Sequence, residues 1–136
     1  MLESRDLLII TNNNRVLEKY QSIHTIEFHD ETYLEVLVAV RNKIHQNYKL
    51  LTHPMAGSLK PNQTPFKSVI LMETELTDYN SLMLIENAIE SANKFLKFKS
   101  LPKWSENCIY DFKTLDLSFV EGAITNKSLN PCYQVI

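Results

Sequence analysis

The residues with the most chemical capacity lie between Leu50 and Ser68. This stretch holds three prolines, Gly57, the lysines Lys60 and Lys67, His53, and a set of hydroxyls and amides that includes Thr52, Ser58 and Asn62. A long connection stiffened by proline either packs as a rigid surface lid or presents side chains to a ligand. In the binding reading it forms an anion pocket: Lys60 or Lys67 supplies charge, Thr52, Ser58 and Asn62 supply donors, and His53 carries a proton. In the structural reading the same polar groups satisfy their own backbone. A second polar group is the triplet Asn12-Asn13-Asn14, which follows the apolar run Leu7 to Ile10. Asn12 and Asn13 at a strand end, beside a helix start, offer amides to a carboxylate or phosphate. Taken alone they read better as an N-cap with two turn residues, and only convergence with the His53 loop favours binding.

Other chemistry is harder to build. Gly57 and Gly122 are the only glycines, so no Rossmann GxGxxG, Walker A loop or GxSxG elbow can be written. Those devices need glycine where backbone must approach phosphate or turn sharply. His24, His29, His45 and His53 show no metal-ligand spacing, and Cys108 and Cys132 form neither a CxxC pair nor a Cys/His cluster, so no metal and no cofactor are expected. Cys108 is expected to face the core. Charge is nearly balanced, 14 Lys+Arg against 16 Asp+Glu, which gives no general argument for a nucleic-acid or membrane-surface partner. The amino terminus lacks the apolar region of a secretory signal, and no apolar run approaches the roughly 20 residues of a bilayer span, so a cytoplasmic location is the default.

The elements that must position these residues follow from periodicity. Leu7–Ile10 reads as a buried strand running into a helix with Val16, Leu17 and Tyr20 on one stripe. Thr25–Phe28 alternates like a strand nearer the sheet edge, and Asp30 is expected to cap the helix Tyr33–His45. Tyr48–Thr52 and Phe66–Met72 are strands joined by the connection Pro54–Pro65. Thr77 or Asp78 caps a long helix with Leu82, Ile85, Ala88, Ile89, Ala92, Phe95 and Leu96 on its inner face. Beyond Pro102, Cys108 to Leu115 suggests a short helix, Asp116 an N-cap for a further helix bearing Leu117, Val120 and Ile124, and 125–136 a tail. The order predicts a single α/β domain over 1–136. It is expected to be a three-layer sandwich on a mainly parallel sheet of about four strands, with a mostly helical last third. In such sheets the loops after the strands bind ligands, and that edge would carry Asn12, Asn13 and His53.

These residues also resemble a known family. Leu8-Ile9-Ile10-Thr11-Asn12-Asn13, then Val40-Arg41-Asn42-Lys43-Ile44-His45, then the whole stretch from Leu50 to Ser68, are similar to the GrdX family, with Asn14-Arg15 standing where that pattern has a proline-containing helix start. The resemblance implies a small cytoplasmic protein associated with the glycine, sarcosine and betaine reductase systems of amino-acid fermentation, without implying a mechanism. Three roles remain open: a non-catalytic accessory protein binding a small anion, an enzyme with His53 as acid or base and Lys60 as electrostatic stabiliser, and an interaction partner of a reductase subunit.

Overall fold

The computed structural model describes residues 7–55, 61, 63–98 and 102–125. Within them the order is β1 (Leu8–Thr11), α1 (Asn14–Tyr20), β2 (Thr25–Phe28), α2 (Tyr33–Ile44), β3 (Tyr48–Leu50), β4 (Ser68–Glu73), α3 (Tyr79–Phe98) and α4 (Glu106–Thr125). One four-stranded sheet runs β2-β1-β4-β3. The two continuous apolar runs occupy its centre, as strands buried on both faces must. β2, with its alternating and partly exposed side chains, takes an edge.

The sheet is mixed, not mainly parallel. Only β1 and β2 pair parallel, whereas β4 runs antiparallel to both β1 and β3. Parallel neighbours need a crossover, usually a helix, and the connection from β3 to β4 contains none among its described residues, so the chain returns from the end at which it left. The register pairs Thr11 with Ser68 and Leu8 with Leu71. The C-terminal ends of β1, β2 and β3 and the N-terminal end of β4 therefore share one edge of the sheet.

Alternation along the central strands divides the core. Leu8, Ile10, Val69 and Leu71 join apolar residues of α2 and α3, including Leu37, Val40, Ile85 and Ala92. Ile9 and Ile70 join Val16 and Tyr20 of α1 and Leu117 and Val120 of α4. Helix starts are chemically marked. Thr32, not Asp30, caps α2 through a reciprocal pair with Glu35, Asp78 accepts from Ser81 N ahead of α3, and Ser105 accepts from Cys108 N ahead of α4. At the α2–β3 turn Asn47 takes φ 66°, a left-handed conformation that asparagine tolerates.

The last described third is one unbroken helix. Asp116 lies in its middle and not at a cap, because the stripe Phe112, Asp116, Leu117, Val120 and Ile124 is continuous at helical spacing with a carboxylate inside it. Cys108 is exposed and does not face the core. Residues 126–136, with Cys132, lie outside the described residues. No helix among the described residues is long and apolar enough to cross a membrane.

Candidate functional site

At the shared edge the Asn12 side chain joins three segments. Its Nδ2 donates to the carbonyls of Glu31 at 2.9 Å and Pro65 at 2.8 Å, and its Oδ1 accepts from Lys67 N at 2.9 Å. The polypeptide after β1, the start of α2 and the lead into β4 are thereby tied by one amide. Asn13 is the N-cap of α1, its Oδ1 accepting from Arg15 N at 3.1 Å, while its Nδ2 donates to Lys113 O at 3.0 Å and Asp116 Oδ2 at 3.1 Å. It fastens α4 to the sheet.

Beneath them runs a chain of hydrogen bonds with a defined direction. Ser68 Oγ donates to Asp116 Oδ2 at 2.6 Å, which uses its single proton, so the 2.6 Å contact with Thr11 Oγ1 has threonine as donor. Thr11 Oγ1 in turn accepts from Asn13 N at 2.9 Å. Burial pushes the Asp116 carboxyl above the usual carboxylate range, against the hydrogen bonds from Ser68 and Asn13 and the charge of Lys67. Burial likewise pulls Lys67, 4 % exposed, down to about 8, with Asp116 opposing. The Lys67 ammonium lies 5.6 Å from the Tyr33 ring centroid, and Tyr33, its phenol raised by burial, donates to Met55 Sδ at 3.9 Å. A hydroxyl on a carboxylate suggests a nucleophile and its base. Ser68 is only 1 % exposed and sits beside the equally buried Thr11, its cross-strand partner, so its oxygen is closed off and the arrangement serves as a fastening.

The edge also holds a cavity of about 310 Å³. Asn12, Asp30, Glu31, Thr32, Tyr33 and Leu34 form one side of it, and Pro61, Pro65, Phe66, Leu96 and Trp104 complete its lining. Trp104 is held edge-on against Phe112, with centroids 5.7 Å apart at 82°. Asn12 thus belongs both to the fastening and to the cavity wall.

The expected site residues separate accordingly. Asn12, Asn13 and Lys67 come together, but the Asn12 and Asn13 side-chain amides bond protein atoms and Lys67 is buried. Thr52 is buried and its Oγ1 accepts from Ile70 N at 3.1 Å. His53 is exposed, its Nδ1 accepting from Met55 N at 3.0 Å. Ser58, Lys60 and Asn62 lie outside the described residues. Sequence reasoning did not single out Ser68, Asp116, Tyr33 or Phe66 as site residues. For Asp116 a signal existed, a carboxylate at a buried position of an amphipathic helix. No group of three or more metal-ligating side chains occurs among the described residues.

No curated protein and no solved structure matches the chain. A family model described as GrdX-like protein matches residues 8–125. That span runs from the first residue of β1 to the last of α4 and takes in every segment that forms the fastening and the cavity wall. The chain belongs to the GrdX-like protein family.

Proposed function

We propose that this GrdX-like protein is a non-catalytic accessory protein that holds a small ligand in the cavity between the β1 turn, the start of α2 and the lead into β4. The cavity carries the reading. Its volume, about 310 Å³, stands at the lower end of the roughly 300–1,000 Å³ typical of ligand pockets and equals about ten water volumes. Its wall is mainly apolar and aromatic with a few polar groups at one side, the composition that favours a small organic ligand over water. Service to the glycine, sarcosine or betaine reductase systems, in the cytoplasm and as one domain, forms part of the proposal through the family resemblance. So does a three-layer arrangement, with α2 and α3 on one sheet face and α1 and α4 on the other, supported by the two separate hydrophobic clusters. The small anion expected from Lys60 and Lys67 has less support than the cavity itself, because Lys67 is buried beside Asp116.

The test is a thermal-shift fragment screen of the wild type beside Leu34→Phe, which adds bulk to the wall. A fragment at a hundredfold excess over its Kd stabilises the wild type by about 2.7 kcal/mol, and the filled variant by much less. A library that stabilises neither protein, or both equally, removes the cavity from consideration. Co-purification with reductase subunits from cells fermenting glycine examines the accessory role separately.

A further inference from the structure

We infer that the ligand class this cavity accepts is a small organic cation, an ammonium carrying apolar substituents. The inference rests on the cavity reading above and adds the sign of the ligand's charge. Asp30 and Glu31 are the residues of ordinarily charged type among the described lining residues, and both are acidic. A helix N-terminus also adjoins the space, since Thr32, Tyr33 and Leu34 open α2 and line it. Its partial charge of about +0.5 would suit an anion. That charge is already answered: Glu35 Oε1 accepts from Thr32 N at 3.2 Å and from Thr32 Oγ1 at 3.1 Å, and Asp30 and Glu31 precede the cap. His29 Nε2 lies 2.6 Å from Glu27 Oε2 and its Nδ1 lies 3.4 Å from Glu31 Oε1. Asp30 and Glu31 before the cap and Glu35 in the first turn of α2 set three carboxylates against half a charge at this side of the cavity.

The walls fit the same ligand. Tyr33, Phe66 and Trp104 supply aromatic surface, whose faces attract a desolvated cation. Two of these rings already do so toward the protein's own lysines, Lys67 lying 5.6 Å from the Tyr33 centroid and Lys113 5.6 Å from that of Phe66. Neither lysine is among the described lining residues, and Asp116 opposes the charge of Lys67. Leu34, Leu96 and the two prolines provide apolar surface for alkyl substituents, whereas a ligand carboxylate would meet Asp30 and Glu31.

Calorimetric titration of the full chain with choline and with dimethylbutanol, in which carbon replaces the quaternary nitrogen, isolates the charge at constant shape. Choline is expected to bind about tenfold more tightly or better, consistent with a cation–π contact in a partly dry site. Glu31→Gln narrows that ratio and leaves dimethylbutanol unchanged, and Trp104→Leu narrows it again. Acetate does not compete. Equal affinity for the two probes overturns the cationic class and leaves the cavity reading intact. Failure of choline to bind also overturns it, and joined to a silent fragment screen it removes the cavity reading too.

Discussion

Two neighbouring regions of the same sheet edge use polar and apolar residues in opposite ways. In the fastening, Asn12, Asn13, Thr11, Ser68 and Asp116 bond one another or the backbone at 2.6–3.1 Å, and these contacts tie β1, β4, α1, α2 and α4 together. Beside it, Tyr33, Leu34, Phe66, Leu96 and Trp104 are among the described residues that line the cavity. Convergence of polar residues at the end of a strand is the usual sign of a binding site, yet a buried polar group is stable only when its partners are supplied. Here the protein supplies them itself. In the function proposed above, the ligand therefore goes to the less polar region, and the polar one holds its walls in place.

The strongest break in that comparison is Asn12, the residue common to both regions. Asn12→Ala removes two donors and an acceptor, and leaves Lys67 N, which is buried, without its partner. At about 1–3 kcal/mol for a buried group left unpaired, the loss is expected to be on the order of 3 kcal/mol. Asn12→Asp should be worse despite its shape, because a carboxylate oxygen would then face the carbonyls of Glu31 and Pro65. Urea denaturation measures both. A loss below about 1 kcal/mol for Asn12→Ala would mean that the amide does not hold the three segments together.

The sequence carried the ends of this argument better than its middle. That Asn12 and the stretch before β4 share an edge was legible, because an apolar run ending in asparagine and a long connection between strands each mark a sheet end. Strand direction was not: the same edge arises from a parallel sheet or from an antiparallel return, and only pairing distinguishes them. Thr32 with Glu35 was a readable capping box directly before Tyr33, whereas Asp30, also a conventional cap residue, lies two residues further out. Asp116 was misread as a helix start because a charged residue inside an apolar stripe contradicts the stripe unless its partners are known, and Asn13 and Ser68 are remote in the chain. Trp104 carries no signal in the sequence that marks it as a wall residue. Packing residues and cavity walls are the same residue types, and only the missing neighbour separates them.

A smaller and more specific effect belongs to Lys67. Its folded-state value is lowered from 10.5 to about 8, chiefly by burial, so the folded protein disfavours the ammonium. A depressed value contributes stability that is present above 10.5 and lost as pH falls through about 8. At about 1.36 kcal/mol per pH unit this amounts to at most about 3 kcal/mol, expected as a rise in stability between pH 8 and 10.5. Lys67→Met should lack that rise. Parallel pH curves for the two proteins would show that Lys67 is not desolvated in the fold.

The smallest effect is expected at His53. Its ring is exposed, and its one hydrogen bond among those described is local, from Met55 N two residues on. An exposed side chain with a single local bond contributes within about 0.5 kcal/mol, so His53→Ala should leave stability nearly unchanged. His53 is also not among the described residues lining the cavity, so ligand-induced thermal shifts should be the same in His53→Ala as in the wild type. This variant sharpens the contrast from the outside. It alters the most chemically versatile residue of the 50–68 stretch while sparing both the fastening and the cavity wall. Loss of ligand stabilisation in a folded His53→Ala would move the binding site from the apolar space to the exposed face of the loop, and would restore His53 as a candidate acid or base.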